Sequence, residues 1–447
     1  MRSSFSFRRA AILALSAGLA LAPFAIRAQQ TKPAAASPVI DLTPVKPESM
    51  GFSSERLDRL HAFIQGEVDQ KQLAGAITLI ARHGKIVDLR TYGMRDLATA
   101  TPMTVDTIFR DYSMTKPVTG VAMMILYEEG KWLPSDPVTK FIPEFAHLKV
   151  FNGFDANGKM ILVEPAHTPR MRELMTHTAG FSYGFTDSPV DKMYKDAKLD
   201  ESTSLDDFIG RVAQLPLLYQ PGTEWNYSVS MDIQGAIVER LTGQSLPDFL
   251  RDHLFTPLGM KDAGFYVSAE KRSRFAAGYR EEDGKLVAEP TANGAPTDYD
   301  KQPGAASGGG GLATSIEDYY RFAQMLLNGG QLGGTRILAP STVKLMTSNH
   351  LPAALRTGEF GIGLHVMRPG FGYGYNCAVV DDPPEANLSD GKGTFFWDGA
   401  AGTWFWADPT NDIVVVGMIQ RRSSPDNHFL LYRVHALVNQ ALVDPAK

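Results

Sequence analysis

Ser113-Met114-Thr115-Lys116, followed by a long apolar run, sets a hydroxyl and an amine three residues apart. On an α-helix such residues share a face, so the two groups can touch. A serine becomes a nucleophile when a base takes its proton, and a lysine of lowered pKa can be that base. The spacing alone is cheap. Ser268-Ala269-Glu270-Lys271, Ser341-Thr342-Val343-Lys344 and Ser389-Asp390-Gly391-Lys392 match it equally well. Context separates them. Ser113 opens what reads as a helix through Glu129, apolar on most sides, and both burial and the positive field of a helix N-terminus lower the pKa of an ammonium. Ser341 reads as a plain helix N-cap, and Ser268 and Ser389 lie in polar stretches.

Two other features point to Ser113. Tyr227 opens a second helical run, where the same field favours phenolate. Buried beside Lys116, a phenol there could carry a proton from Ser113 to a leaving group, although packing in a core is the commoner fate of a tyrosine. The stretch GTFFWDGAAGTWFWADP (393–409) reads as a strand pair. Its small residues Gly399-Ala400-Ala401-Gly402 let a ligand come close to the backbone. An N–H there, paired with that of Ser113, would form an oxyanion hole worth about 3–4 kcal/mol per donor.

The elements that must position these groups follow from the patterning. Residues 52–68 read as an amphipathic helix capped by Ser53 or Ser54, with Leu57, Leu60, Phe63 and Ile64 as its stripe. Residues 74–84 and 85–93 read as a hairpin turning at His83-Gly84. A helical, loop-rich region follows, with helices at 113–129, 169–177 and 227–241, one opened by Ser245 with Asp248, and one opened by a Thr314–Glu317 capping box. Strand signals return at 360–367, 393–400, 403–409 and 412–419, before a helix at 426–443. The fold class expected is α/β of the α+β kind: one mixed sheet built from both chain ends (about 46–104 and 355–447), flanking helices, and an inserted helical region (about 105–354).

At 447 residues, 44% hydrophobic and 21% charged, the chain is of ordinary globular composition. Arg2, Arg8 and Arg9 precede an apolar stretch from Ala10 to Ala25, with Ala28 at a cleavage point. This is the pattern of a secretory signal over residues 1–28, and Arg8-Arg9 suggests the twin-arginine route to a periplasmic or secreted location. Residues 29–45 read as a flexible leader. Removing residues 1–28 takes the formal charge from −5 to −9, which disfavours nucleic acid or an anionic membrane as a partner. Cys377 is the lone cysteine, so no internal disulfide forms. No spacing suits a metal, and no cofactor is expected.

Taken in order, FRDYSMTKPVTG, MRELMTHTAGFSYGF, LYQPGTEWNYSVSMDIQGAIVERLTGQSLPDFL, GGGGLATSIEDYYRFAQMLLNGG and WDGAAGTWFWADP resemble the serine β-lactamase-related family. That group comprises class C β-lactamases, D-alanyl-D-alanine peptidases and, closest in style, family VIII carboxylesterases. The resemblance spans roughly residues 50–440. It implies the β-lactamase fold, Ser113 as acylated nucleophile, Lys116 and Tyr227 as the proton-transfer pair, and the N–H groups of Ser113 and Ala400 as oxyanion hole. The chain departs from class C β-lactamases at two motifs. Val229 stands where Tyr-x-Asn carries its amide, and Trp397-Asp398-Gly399 replaces Lys-Thr-Gly. An aromatic ring in place of a carboxylate-gripping cation, with Asp398 beside it, argues for a small neutral ester as substrate.

The expected function is therefore an exported serine carboxylesterase. The alternatives are a β-lactamase or D-amino-acid peptidase, and a non-catalytic ligand-binding relative. Three tempting features carry less. Gly180-Phe181-Ser182-Tyr183-Gly184 matches a nucleophile elbow but lacks the preceding strand, and nearby His177 reads as a helix-end histidine. Gly308–Gly311 lacks the lysine of a phosphate loop and reads as a close backbone approach near the pocket. Trp404 and Trp406 share a strand face, as core or as pocket wall.

Overall fold

Among the described residues, strands from the two ends of the chain meet in one eight-stranded sheet. A computed structural model describes residues 40–289, 299–356, 368–422, 424 and 426–446. The signal expected over residues 1–28, most of the leader expected over 29–45 and the strand expected at 360–367 lie outside the described residues. The elements that matter for the site are α1 (Ser54–Asp69), β1 (Gly75–Arg82), β2 (Lys85–Asp96), β3 (Thr101–Pro102), α2 (Thr115–Glu128), α3 (Met171–Met175), α4 (Ser230–Thr242), α5 (Ile316–Leu327), β4 (Phe371–Tyr373), β5 (Ala378–Val380), β6 (Phe395–Asp398), β7 (Trp404–Asp408), β8 (Ile413–Met418) and α6 (Asp426–Asn439). The strand order is β4-β5-β6-β7-β8-β1-β2-β3, and neighbouring strands run antiparallel. The chain ends join where β8 pairs with β1, Ile77 facing Met418 and Arg82 facing Ile413.

Local chemistry accounts for most boundaries. Ser53 caps α1 by accepting a hydrogen bond from the Arg56 N–H, and Leu57, Leu60 and Ile64 are its buried stripe. His83 and Gly84 both have positive φ, 53° and 68°, the turn whose twist matches that of an antiparallel hairpin. Every residue of β1 and of β8 is buried, because helices cover both faces of these central strands, which therefore read as apolar runs rather than alternations. On β7 the alternation is visible instead. Phe405 packs on Tyr319 and Phe322 of α5, while Trp406 stacks on His435 of α6 at 3.8 Å. The result is a helix–sheet–helix sandwich with the expected helical region between β3 and β4.

Several boundaries move by a few residues. The helix cap expected at Thr314 falls on Ser315, whose hydroxyl accepts from the Asp318 N–H. Ser341 is not a cap: Ala339 is the cap residue and Pro340 the first helical position. Strands β4 and β5 were not legible, since three residues carry too short a period to register. No helix among the described residues is long and apolar enough to cross a membrane.

Candidate active site

Ser113 precedes a helix rather than opening it. Residues Tyr112–Met114 form a single 3-10 turn and α2 begins at Thr115. Tyr112 takes φ 46°, a conformation rare for a bulky side chain and one that tends to persist where the surroundings enforce it. Two bonds do so: the Met114 N–H donates to Asp111 O at 3.2 Å, and Thr115 Oγ1 donates to Tyr112 O at 2.6 Å. Pro117 falls in the first turn of α2, where its missing N–H costs nothing. Lys116 Nζ then lies 3.1 Å from Ser113 Oγ. Tyr227 Oη, arriving from the segment before α4, donates to the same Ser113 Oγ at 2.7 Å.

Burial sets the electrostatics. Lys116 is 1% exposed. Desolvation pulls its ammonium down to about 7, against the carboxylates of Asp232 and Asp398, which hold it up. Tyr227 behaves opposite to the expectation of a phenolate. It lies ahead of α4, which starts only at Ser230. It is enclosed by the rings of His177 at 4.8 Å, Tyr183 at 5.3 Å and Trp397 at 5.7 Å, and burial raises its pKa far above the ordinary phenol value. The phenol is thus held protonated and the amine poised near neutrality. Asp398 is also pushed up by burial, to about 7.

The small-residue segment comes to the same place, as a turn and not as strand. Ala400 lies between β6 and β7; the Gly399 N–H donates to Thr403 O and the Gly402 N–H to Gly399 O, both at 2.8 Å, and neither bond uses the Ala400 N–H. Gly399 is required there, since a Cβ would lie 2.3 Å from Asp111 O, two residues before Ser113. Two cavities open at Ser113. One, of about 390 Å³, is lined by Tyr227, Trp397, Asp398, Gly399, Ala400 and Trp404 among others. The other, of about 460 Å³, is walled by Tyr183, Tyr194, Leu199, Leu205, Phe208 and Val229, with Lys116 and Ala400 also in its lining. Phe185, 58% exposed, borders both. Arg422 also borders both and is engaged by Glu289 at 2.5 Å.

All seven residues singled out from the sequence, Ser113, Lys116, Tyr227, Trp397, Asp398, Gly399 and Ala400, therefore line one cleft. The rival Ser-x-x-Lys patterns are occupied elsewhere: Lys271 pairs with Asp262, Ser389 Oγ accepts from Asn439, and Ser341 sits inside a short helix. Ser182, the elbow candidate, is buried and donates to Asp191. His177 Nδ1 accepts from the Ser228 N–H at 3.2 Å. Gly308–Gly311 does approach the pocket closely, giving the Gly309 carbonyl to Lys116 Nζ at 2.6 Å. Asp232 and Tyr183 were missed. An acidic residue in a first helical turn and an aromatic between a serine and a glycine are too ordinary to stand out.

The family described as Beta-lactamase matches residues 60–440. Protein Rv1367c of Mycobacterium tuberculosis (strain ATCC 25618 / H37Rv) is 37% identical over 370 residues, covering 81% of this chain and 90% of that protein. Esterase EstB of Burkholderia gladioli is 35% identical over 367 residues, covering 78% and 86%. Among solved structures, EstCE1, described as a hydrolase with promiscuous acyltransferase activity, superposes with TM-score 0.72 at 26% identity, over 89% of this chain and 99% of that one.

Proposed function

Because the chain belongs to the beta-lactamase family, we propose that it is a serine carboxylesterase that cleaves small neutral esters through an acyl-enzyme on Ser113. The observation that carries this reading is the convergence on Ser113 Oγ of a buried amine at 3.1 Å and a protonated phenol at 2.7 Å. As Oγ attacks the ester carbonyl, its proton passes to the neutral Lys116 amine. The tetrahedral oxyanion is met by the N–H groups of Ser113 and Ala400. On collapse the C–O bond to the alcohol breaks, Tyr227 protonates the departing alkoxide, and the Lys116 ammonium returns a proton to Tyr227. Water then repeats the sequence on the acyl-enzyme and releases the acid. The esterase named among the relatives supports this substrate class.

The wall around Ser113 supports a neutral substrate. Trp397 stands on β6 beside Asp398, so a substrate carboxylate entering there meets a ring and a partly ionised carboxyl group in place of a pairing cation. The expected outcome is a kcat/KM for p-nitrophenyl acetate or butyrate at least about 100-fold above that for nitrocefin, which bears a carboxylate. Nitrocefin turnover matching the esters would replace this reading with that of a β-lactamase or peptidase.

The arginine-led apolar segment of residues 2–25 supports export. N-terminal sequencing of protein expressed in a bacterial host is expected to place the mature start at or near Gln29. An intact Met1 start on cell-associated protein would sink that part of the reading.

A further inference from the structure

A neutral lysine amine has one lone pair and two N–H bonds, so it acts as a base only in the direction its lone pair points. Lys116 Nζ donates to the Gly309 carbonyl at 2.6 Å, and Ser113 Oγ lies 3.1 Å away. Where that carbonyl stands therefore decides where the lone pair goes. Gly309 belongs to a strap tied down at both sides. Towards α2, Thr119 Oγ1 donates to Gly308 O at 2.7 Å. Towards α4, the Gly309 N–H donates to Asp232 Oδ1 at 3.2 Å and Ser307 Oγ donates to the same oxygen at 2.6 Å. Tyr183 Oη donates to Asp232 Oδ2 at 3.2 Å. The approach is so close that a Cβ on Gly309 would lie 2.4 Å from Tyr183 Oη and 2.7 Å from Asp232 Oδ2.

We propose that Asp232 is a positioning residue for the proton transfer. Its carboxylate anchors the strap by accepting from the Gly309 N–H and Ser307 Oγ, which sets where the Gly309 carbonyl stands, and that carbonyl turns the Lys116 lone pair towards Ser113. The proposal rests on the reading of Ser113 as nucleophile and Lys116 as base. It goes beyond that reading by assigning a role to a carboxylate on the cavity wall that makes no hydrogen bond to Ser113. Asp232 also acts through its charge. The groups facing Lys116 are Asp232 from α4, Asp398 from β6, Tyr227 from the segment before α4, and His177 and Tyr183 from the segment after α3. Of these, Asp232 and Asp398 favour the ammonium, so loss of the Asp232 charge lowers the pKa of Lys116 further.

The test compares pH profiles of p-nitrophenyl butyrate hydrolysis by the full protein, Asp232→Asn, Asp232→Ala and Ser113→Ala, with thermal melting of each. Asp232→Asn keeps an oxygen for Gly309 and Ser307 but removes the charge. Its acidic limb is expected to move to lower pH by roughly 0.5–1 unit, with KM within about twofold of wild type. Asp232→Ala also releases the strap, and kcat is expected to fall by about 100-fold. A merely structural aspartate would lower the melting temperature without moving the limb. An Asp232→Asn profile that superimposes on wild type, with Ser113→Ala inert, overturns the positioning role and leaves the esterase reading standing. Activity persisting in Ser113→Ala overturns both.

Discussion

Ser113→Ala is expected to be inert towards p-nitrophenyl acetate and butyrate, with kcat lower by about 10⁴-fold or more, and to fold as the wild type does. The size of the effect follows from the proposed mechanism, in which every turnover passes through a bond to Oγ. Removing one member of such a set costs nearly as much as removing them all. The fold survives because Ser113 is only partly buried, and its hydroxyl serves Lys116 and Tyr227 rather than a core. Neither partner is stranded at great cost: Lys116 keeps the Gly309 carbonyl, and a buried phenol left short of one partner costs about 1–3 kcal/mol. Steady-state kinetics beside a circular-dichroism melt separates the two quantities. Full activity in the alanine variant would mean that the nucleophile lies elsewhere and that the cleft around Ser113 has been misread.

The second large effect belongs to Lys116. Desolvation is the dominant cause of its lowered pKa, about 7, and the sign of the pH dependence follows directly. The amine must be neutral to accept the Ser113 proton. Below pH 7 it is protonated and kcat/KM falls about tenfold per unit; above pH 7 it is free and the profile levels off. Asp398, raised by burial to about 7, shares the site, so the limb reports the pair rather than one residue. Lys116→Met fills the same volume without a base, and kcat is expected to fall by about 10²–10⁴-fold. The residual rate should lose the inflection near neutrality. Wild-type activity that is flat from pH 5 to 9, or Lys116→Met activity that keeps the wild-type limb, would exclude Lys116 as the base.

The expected pairs differ in how far apart in the chain their members lie, and this governed their legibility. Ser113 and Lys116 are three residues apart, and helical geometry brings them together whatever the rest of the chain does. The β1–β2 hairpin and the cap at Ser53 are equally local. Tyr227 and the Trp397–Ala400 segment are distant, and only their order beside the first motif, as a family pattern, linked them to it. Asp232 and Gly309 had neither kind of signal. Their contact joins residues 77 apart, and nothing in either segment announces it.

The sequence by itself determined the chemistry on offer: one hydroxyl, one amine and one phenol at recognisable spacings, and a neutral aromatic motif where relatives of another kind carry a cation. Tertiary structure alone decided the protonation states. The sequence suggested that a helix N-terminus favours the phenolate of Tyr227, but the ring is buried among aromatics before α4 begins, and desolvation outweighs the field. The same burial pulls the Lys116 ammonium down to about 7, so that the amine is free above neutrality. Desolvation depends on what surrounds a group in space, and residues from four separate segments supply that surrounding here. A field from one's own helix can be read along the chain; the loss of water around a side chain cannot.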